Sequence, residues 1–114
     1  MSKRAVITGT GVIGPVGNTT EESWRNAVAG VSGIRRMTLV DPGQFTSQIA
    51  GEVKDFDPFE HFDRKLVKRI DRYTQFAMIA AREAYVASGL EGRIEPERLG
   101  VIIGSGIGGI ETLE

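Results

Sequence analysis

The stretch "RYTQFAMIAAREAYVAS", residues 72–88, limits the architectures open to this chain more than any other. Read as a helix, it is apolar around most of its circumference, and five of its residues are alanines. Polar groups keep a narrow strip, chiefly Gln75, Arg82 and Glu83. A helix apolar nearly all round is buried on several sides, and alanine lets its neighbours approach closely. The pattern predicts a middle-layer helix with structure above and below it. Helical character begins at residue 64, with a break expected near Asp71, and Gly89 is a good terminator.

Two short β-rich runs flank that helix in sequence, and each is followed by glycines. Ala5 to Thr8, "AVIT", precedes Gly9, Gly11 and Gly14; Val101 to Ile103 precedes Gly104, Gly106 and Gly109. Both runs predict short buried strands. Both glycine sets have the G-x-G-x-x-G spacing of dinucleotide-binding turns. That chemistry needs the glycines to lead straight into a helix, whose free amides meet the pyrophosphate, and an acidic residue about 20 positions further on. Here Pro15 follows Gly14, "PVGN" intervenes, and the helix start signals wait until residues 18–20. The next available acid, Asp41, sits in an Asp-Pro-Gly turn. A small NAD-binding domain is therefore the weakest of the readings. The glycines read instead as tight turns and close packing between layers, and no cofactor is expected.

Between these units, "NTTEESWRNAVAG" reads as a helix. Thr19 with Glu22 fits a capping box, and Glu21 and Glu22 suit the positive end of the helix dipole. Trp24, Ala27, Val28 and Val31 share one face, which assigns Trp24 to the core; Gly30 or Gly33 ends the helix. "MTLVDPGQFT" reads as a loop with a turn at Asp41-Pro42-Gly43. Residues 47–53, "SQIAGEV", alternate as a strand. Asp57 followed by Pro58 starts a helical turn. The sum is an α/β piece with at least three strands and two substantial helices.

Composition removes several classes of function. The net charge is −1, so binding nucleic acid through overall charge is not expected. With no cysteine there is no disulfide framework, no cysteine zinc site and no thiol nucleophile in these 114 residues. No run approaches the roughly 18 apolar residues of a membrane span, and "MSKRAVITG" does not read as a signal peptide; a cytoplasmic protein without a membrane partner is the expectation. His61 is the sole histidine and makes neither a metal site nor a Ser-His-Asp grouping. Asp55 and Asp57 read as loop and cap residues rather than a catalytic carboxylate pair. Phe76, Met78 and Tyr85 read as packing.

"VITGTGVIGPVGNT", "W..AVAG.SGI", "AGEVKDFDP" and "IGSGIGG", in this order, resemble the thiolase-fold condensing enzymes, in particular the β-ketoacyl–acyl carrier protein synthases of the type II kind. The resemblance runs through the whole chain. It implies a layered α-β-α-β-α fold made of two similar halves, normally dimeric, of which residues 1–114 would be the first part of the amino-terminal half. It also implies a chemistry. A cysteine takes an acyl chain from its carrier, two histidines with a nearby lysine promote decarboxylation of malonyl-carrier, and the enolate lengthens the chain by two carbons. In that family those four groups come after the position matching Glu114, and His61 matches none of them. The expectation is an amino-terminal fragment that does not catalyse condensation alone.

Two sites follow. In "RKLVKRIDR", Lys65, Lys68, Arg69 and Arg72 fall at i, i+3, i+4 and i+7 and would share one cationic face of a continuous helix. A solvated helix face is the plain reading; the resemblance implies that Lys65, Lys68 and Arg69 dock the acidic acyl carrier protein. The resemblance also implies that Ile107, between the paired glycines of "GSGIGG", lies at the inner end of the acyl pocket, against the plain reading of a core isoleucine. A stand-alone carrier-docking or regulatory module built on the basic segment is the alternative to a condensing enzyme. A half-sheet with its middle helix uncovered is expected to expose apolar surface.

Overall fold

A computed structural model describes residues 2–113. The chain divides into two compact units: Val12–Asp57, and the residues up to Gly11 together with those from Pro58 onward.

The Val12–Asp57 unit is built from local signals. Helix α1, Thr20–Val28, starts at the N-cap Thr19, whose hydroxyl oxygen accepts from the Glu22 amide at 3.1 Å. Glu22 reaches back, but to the Asn18 amide at 2.8 Å, one residue further out than in a standard capping box. The helix ends in paired bonds, Gly30 N to Ala27 O and Val31 N to Asn26 O, with Gly30 at φ +70. That is the left-handed glycine stop of a Schellman motif. Asp41 accepts from the Gly43 amide and opens a 3₁₀ turn over Pro42–Gln44, as the Asp-Pro-Gly signal predicts.

The strand expected over residues 47–53 is shorter, and its partner lies in a stretch without a strand signal. Strand β1, Ile34–Arg36, pairs antiparallel with β2, Ile49–Gly51, in the register Ile34 to Gly51 and Arg36 to Ile49. One more bond, Met37 N to Gln48 O, continues the ribbon. Trp24 is 72 % exposed, which corrects its assignment to the core. Its helix face has no covering layer among the described residues.

In the other unit, α2 spans Arg64–Val67 and α3 spans Arg72–Ser88. The break falls at Asp71, as expected, and Gly89 caps α3 at φ +64. Turns of 3₁₀ helix at Pro58–Glu60 and Pro96–Arg98 and a single turn, α4, at Ile110–Leu113 complete the elements. Phe62, 7 % exposed, is the buried apolar residue among those described, while Phe59 beside it stays exposed. Gln75, assigned to the polar strip of α3, is buried instead, and its side-chain amide donates to the Ile70 carbonyl at 3.2 Å.

The two expected buried strands are corrected. Neither Ala5 to Thr8 nor Val101 to Ile103 forms a ladder among the described residues. Ile7 is 87 % exposed and Ile102 is 96 % exposed. A buried strand needs neighbours at both edges and a layer on each face. Here α3 supplies one face only. Where at least three strands are expected, the described residues form two short ones, both in the Val12–Asp57 unit.

Gly9 and Gly11 account for the contact with that one face. A Cβ on Gly9 would overlap the Ala84 carbonyl oxygen, and one on Gly11 the Ala80 carbonyl oxygen. Two residues of extended chain advance roughly 6.6 Å and four residues of helix roughly 6 Å, so alternate glycines meet every fourth alanine. The leading glycines and the alanines of α3 are two halves of one close approach.

Candidate functional site

Basic residues and a glycine loop converge on Asp71. The side chain of Asp63 opens α2 by accepting from the Leu66 amide at 2.8 Å. The helix closes at Lys68, and the amides of Arg69 and Ile70 both reach the Leu66 carbonyl. Lys65, Lys68 and Arg69 are exposed on this turn. No acidic side chain pairs with them among the described residues. Arg72, expected on the same face, belongs to the next helix, where its guanidinium lies 4.9 Å from the centre of the Phe76 ring. The continuous cationic face therefore contracts to the first three residues, because the helix that would carry all four breaks before Asp71.

The glycine loop runs from Gly104 to Gly109. Ser105 Oγ accepts from the Gly108 amide at 3.0 Å, and Gly108 stands at φ +80 beside the Tyr73 ring. Gly109 lies against the Asp71 carboxyl group, and the hydroxyl of Thr112 donates to Asp71 Oδ1. Between these fixed points Ile107 projects, 72 % exposed. A groove of about 390 Å³ reaches the loop at Ser105 and is lined also by Tyr73, Ala77, Met78, Val101 and Ile103. A second, of about 580 Å³, runs between Thr8 and Gly9 on one side and Val101 to Ile103 on the other, floored by Ala81, Ala84 and Tyr85. Both are apolar slots against α3 of the kind that accept alkyl chains or side chains from a covering layer.

The leading glycines form no cradle for a dinucleotide. Gly9 and Gly11 face helix backbone, and Gly14 and Gly17 close a turn by Gly14 N to Gly17 O at 2.9 Å and Gly17 N to Gly14 O at 3.2 Å. The small cleft of about 200 Å³ beside that turn is lined by residues whose polar groups bond to one another. Lys54 Nζ donates to the carbonyls of Gly33 at 3.0 Å and Pro15 at 3.4 Å, and Asn26 Nδ2 donates to Val16 O at 2.7 Å. His61 is exposed. Among the described residues no group of three or more His, Asp or Glu is placed to hold a metal ion, and no helix is long and apolar enough to cross a membrane.

Sequence reasoning missed Asp71 and Thr112 as a pair. Asp71 registers only as a helix break and Thr112 only as part of an incipient helix; no local spacing joins residues 41 positions apart.

The chain is similar to known proteins along its whole length. The family model described as "Beta-ketoacyl synthase, N-terminal domain" matches residues 2–114. The chain is 46% identical over 114 residues to "3-oxoacyl-[acyl-carrier-protein] synthase 2" of Staphylococcus aureus (strain COL), covering 99% of this chain and 28% of that protein. It is 46% identical over 113 residues to the protein of the same name from Coxiella burnetii (strain RSA 493 / Nine Mile phase I), covering 98% and 27%. Among solved structures, "The ishigamide ketosynthase/chain length factor" matches with a TM-score of 0.67 and 35% identity over 83% of this chain and 23% of that one. The chain spans 28% of the length of the first of these relatives.

Proposed function

The chain belongs to the β-ketoacyl synthase family through its N-terminal domain, and from that premise we propose that it serves a decarboxylative condensing enzyme as scaffold, carrier dock and acyl-pocket wall. The whole protein would extend an acyl thioester by two carbons from malonyl-carrier, as a cytoplasmic homodimer. The nucleophilic cysteine, the two histidines and the lysine would come from protein outside these residues, since this chain has no cysteine and its one histidine is exposed. On this reading residues 1–114 are the truncated amino-terminal portion of one thiolase-like domain and are inactive alone.

The observation that carries the docking role is the trio Lys65, Lys68 and Arg69, exposed together and without an acidic partner among the described residues. Uncompensated cations on one short turn attract an acidic protein and speed its encounter. An acyl carrier protein is such a partner, and the Staphylococcus and Coxiella relatives carry acyl-carrier-protein in their names. Ile107 supports the pocket role. It is a branched aliphatic held at the tip of a pinned loop, and alkyl tails are selected by shape and apolar contact.

The test uses the full-length protein and purified acyl carrier protein. Lys65→Glu combined with Lys68→Glu is expected to weaken carrier binding at low salt by about tenfold or more. The difference should shrink as salt screens it. Unchanged affinity at low salt would sink the docking role. For the pocket, Ile107→Phe should shorten the longest acyl chain accepted without altering carrier affinity.

A further inference from the structure

Asp71 occupies the N-cap of α3, where an aspartate ordinarily accepts from the second or third amide of its own helix. It makes no such bond. Its carboxylate accepts from Thr112 Oγ1 instead, and Gly109 packs so closely on it that a Cβ there would overlap the carboxyl group. A capping group has thus been diverted from its helix to α4 and to Gly109, the end of the loop that carries Ile107. Ser105 fixes the near side of that loop and lines the groove against Tyr73 and Ile103. Asp71 also follows Arg69 and Ile70 directly, so the same residue ends the basic segment and holds the loop.

We propose that Asp71 is a positioning residue whose carboxylate latches residues 105–110, holds Ile107 at a fixed height beside the groove and so sets the length of acyl chain accepted. The proposal rests on the condensing-enzyme reading and deepens it. Asp71 touches no reacting atom; it acts through Thr112, Gly109 and the backbone that bears Ile107.

Four variants of the full-length protein separate this role from mere support of α3. Thr112→Val removes the donor at nearly constant shape. Asp71→Ser is too short to reach Thr112 but still caps a helix. Asp71→Asn keeps an acceptor, and Thr112→Ser keeps the hydroxyl. The first two are expected to speed amide exchange of residues 105–110 about fivefold and leave α3 unchanged. The last two should behave as the parent. Product analysis should show a broader chain-length distribution for Thr112→Val and Asp71→Ser, with the KM for carrier unaltered. Unchanged exchange at 105–110 in Thr112→Val would overturn the latch. Faster exchange with an unaltered product distribution would overturn its part in length selection. Exchange is read without substrate, so it decides on the latch even in a protein that elongates nothing; that result would overturn the condensing-enzyme reading and, with it, the length-setting role.

Discussion

The caps and turns of residues 14–54 and the two apolar runs at 5–8 and 101–103 carry clear sequence signals, yet only the first become hydrogen-bonded structure. In residues 14–54 the hydrogen-bonding partners of caps, turns and strands lie nearby, although the apolar face of α1 stays uncovered. Thr19 and Glu22 cap a helix that begins beside them, Gly30 ends it, and β1 finds β2 within the same unit. Lys54 and Asn18 tie the Gly14–Gly17 turn to the residues flanking the ribbon, and Asn26 ties it to α1, all through backbone carbonyls. The apolar runs line slots against α3 but form no ladder among the described residues, and Ile7 and Ile102 are left exposed. Apolar surface is open in both regions: Trp24, Val28 and Ile49 are exposed as well as Ile7 and Ile102. The chain exposes 9431 Å², whereas a self-contained monomer of 12.4 kDa exposes roughly 6,100 Å². Capping and turn formation are local physics; a layered sheet is complete only when remote chain arrives.

The largest expected effect tests that contrast directly. Ile102 is 96 % exposed here. If its run becomes an inner strand of the full-length protein, Ile102→Asp there buries an unpaired charge. The expected cost is about 3 kcal/mol or more, or loss of soluble protein. Denaturant unfolding of the full-length variant measures it. A change within about 0.5 kcal/mol, as for an ordinary surface site, would break the comparison by showing that the run is a true surface.

A smaller effect sharpens the comparison at the glycines. A Cβ at Gly11 would overlap the Ala80 carbonyl oxygen and approach the Ala84 amide at 2.8 Å, whereas at Gly14 it would meet nothing within 4 Å. Both obstacles at Gly11 are backbone, which shifts only with its helix. Gly11→Ala is therefore expected to cost about 1–3 kcal/mol. Gly14→Ala is expected to stay within about 0.5 kcal/mol or to stabilise slightly through the unfolded state. Equal midpoints for the two variants in denaturant would remove the close approach of residues 8–11 to α3 as the reason for the leading glycines.

Features legible in the sequence were those in which one residue serves a neighbour within a few positions. The Thr19 cap, the Gly30 stop, the Asp41 turn and the Asp71 break all belong to that class. The layered family fold was legible too, through the order of its motifs, although the strands it calls for are not laddered here. Strand β1 was not legible, because "IRR" has no apolar alternation and becomes a strand only by pairing with β2. Gln75 was misplaced because helical periodicity registers polarity but not the Ile70 carbonyl that lets a glutamine be buried. Of the proposed site, Lys65, Lys68 and Arg69 stand out by charge and Ile107 through the family resemblance. The Asp71–Thr112 bond depends on a contact that no spacing encodes.

The smallest effect lies in the well-knit unit and depends on pH. Glu52 accepts from the Thr38 and Leu39 amides at 3.0 Å each and from the Thr38 hydroxyl at 2.7 Å. The Leu39 amide first, then the Thr38 hydroxyl and amide, hold its carboxyl below the ordinary carboxylate value. A lowered folded value means that the unfolded segment binds the proton more readily. The clamp's contribution is therefore complete above the unfolded value, about 4.3, and fades as pH falls through the lower folded one. Amide exchange at Thr38 and Leu39, corrected for the intrinsic rate, should quicken over that acid window and stay flat above it. Glu52→Gln should remove the pH step while leaving the β1–β2 amides protected. If loss of the Glu52 clamp instead opened the β1–β2 ribbon as a whole, the ribbon would depend on a single exposed carboxylate rather than on its own ladder. The contrast between a locally complete region and one that waits for its layers would then lose its first half.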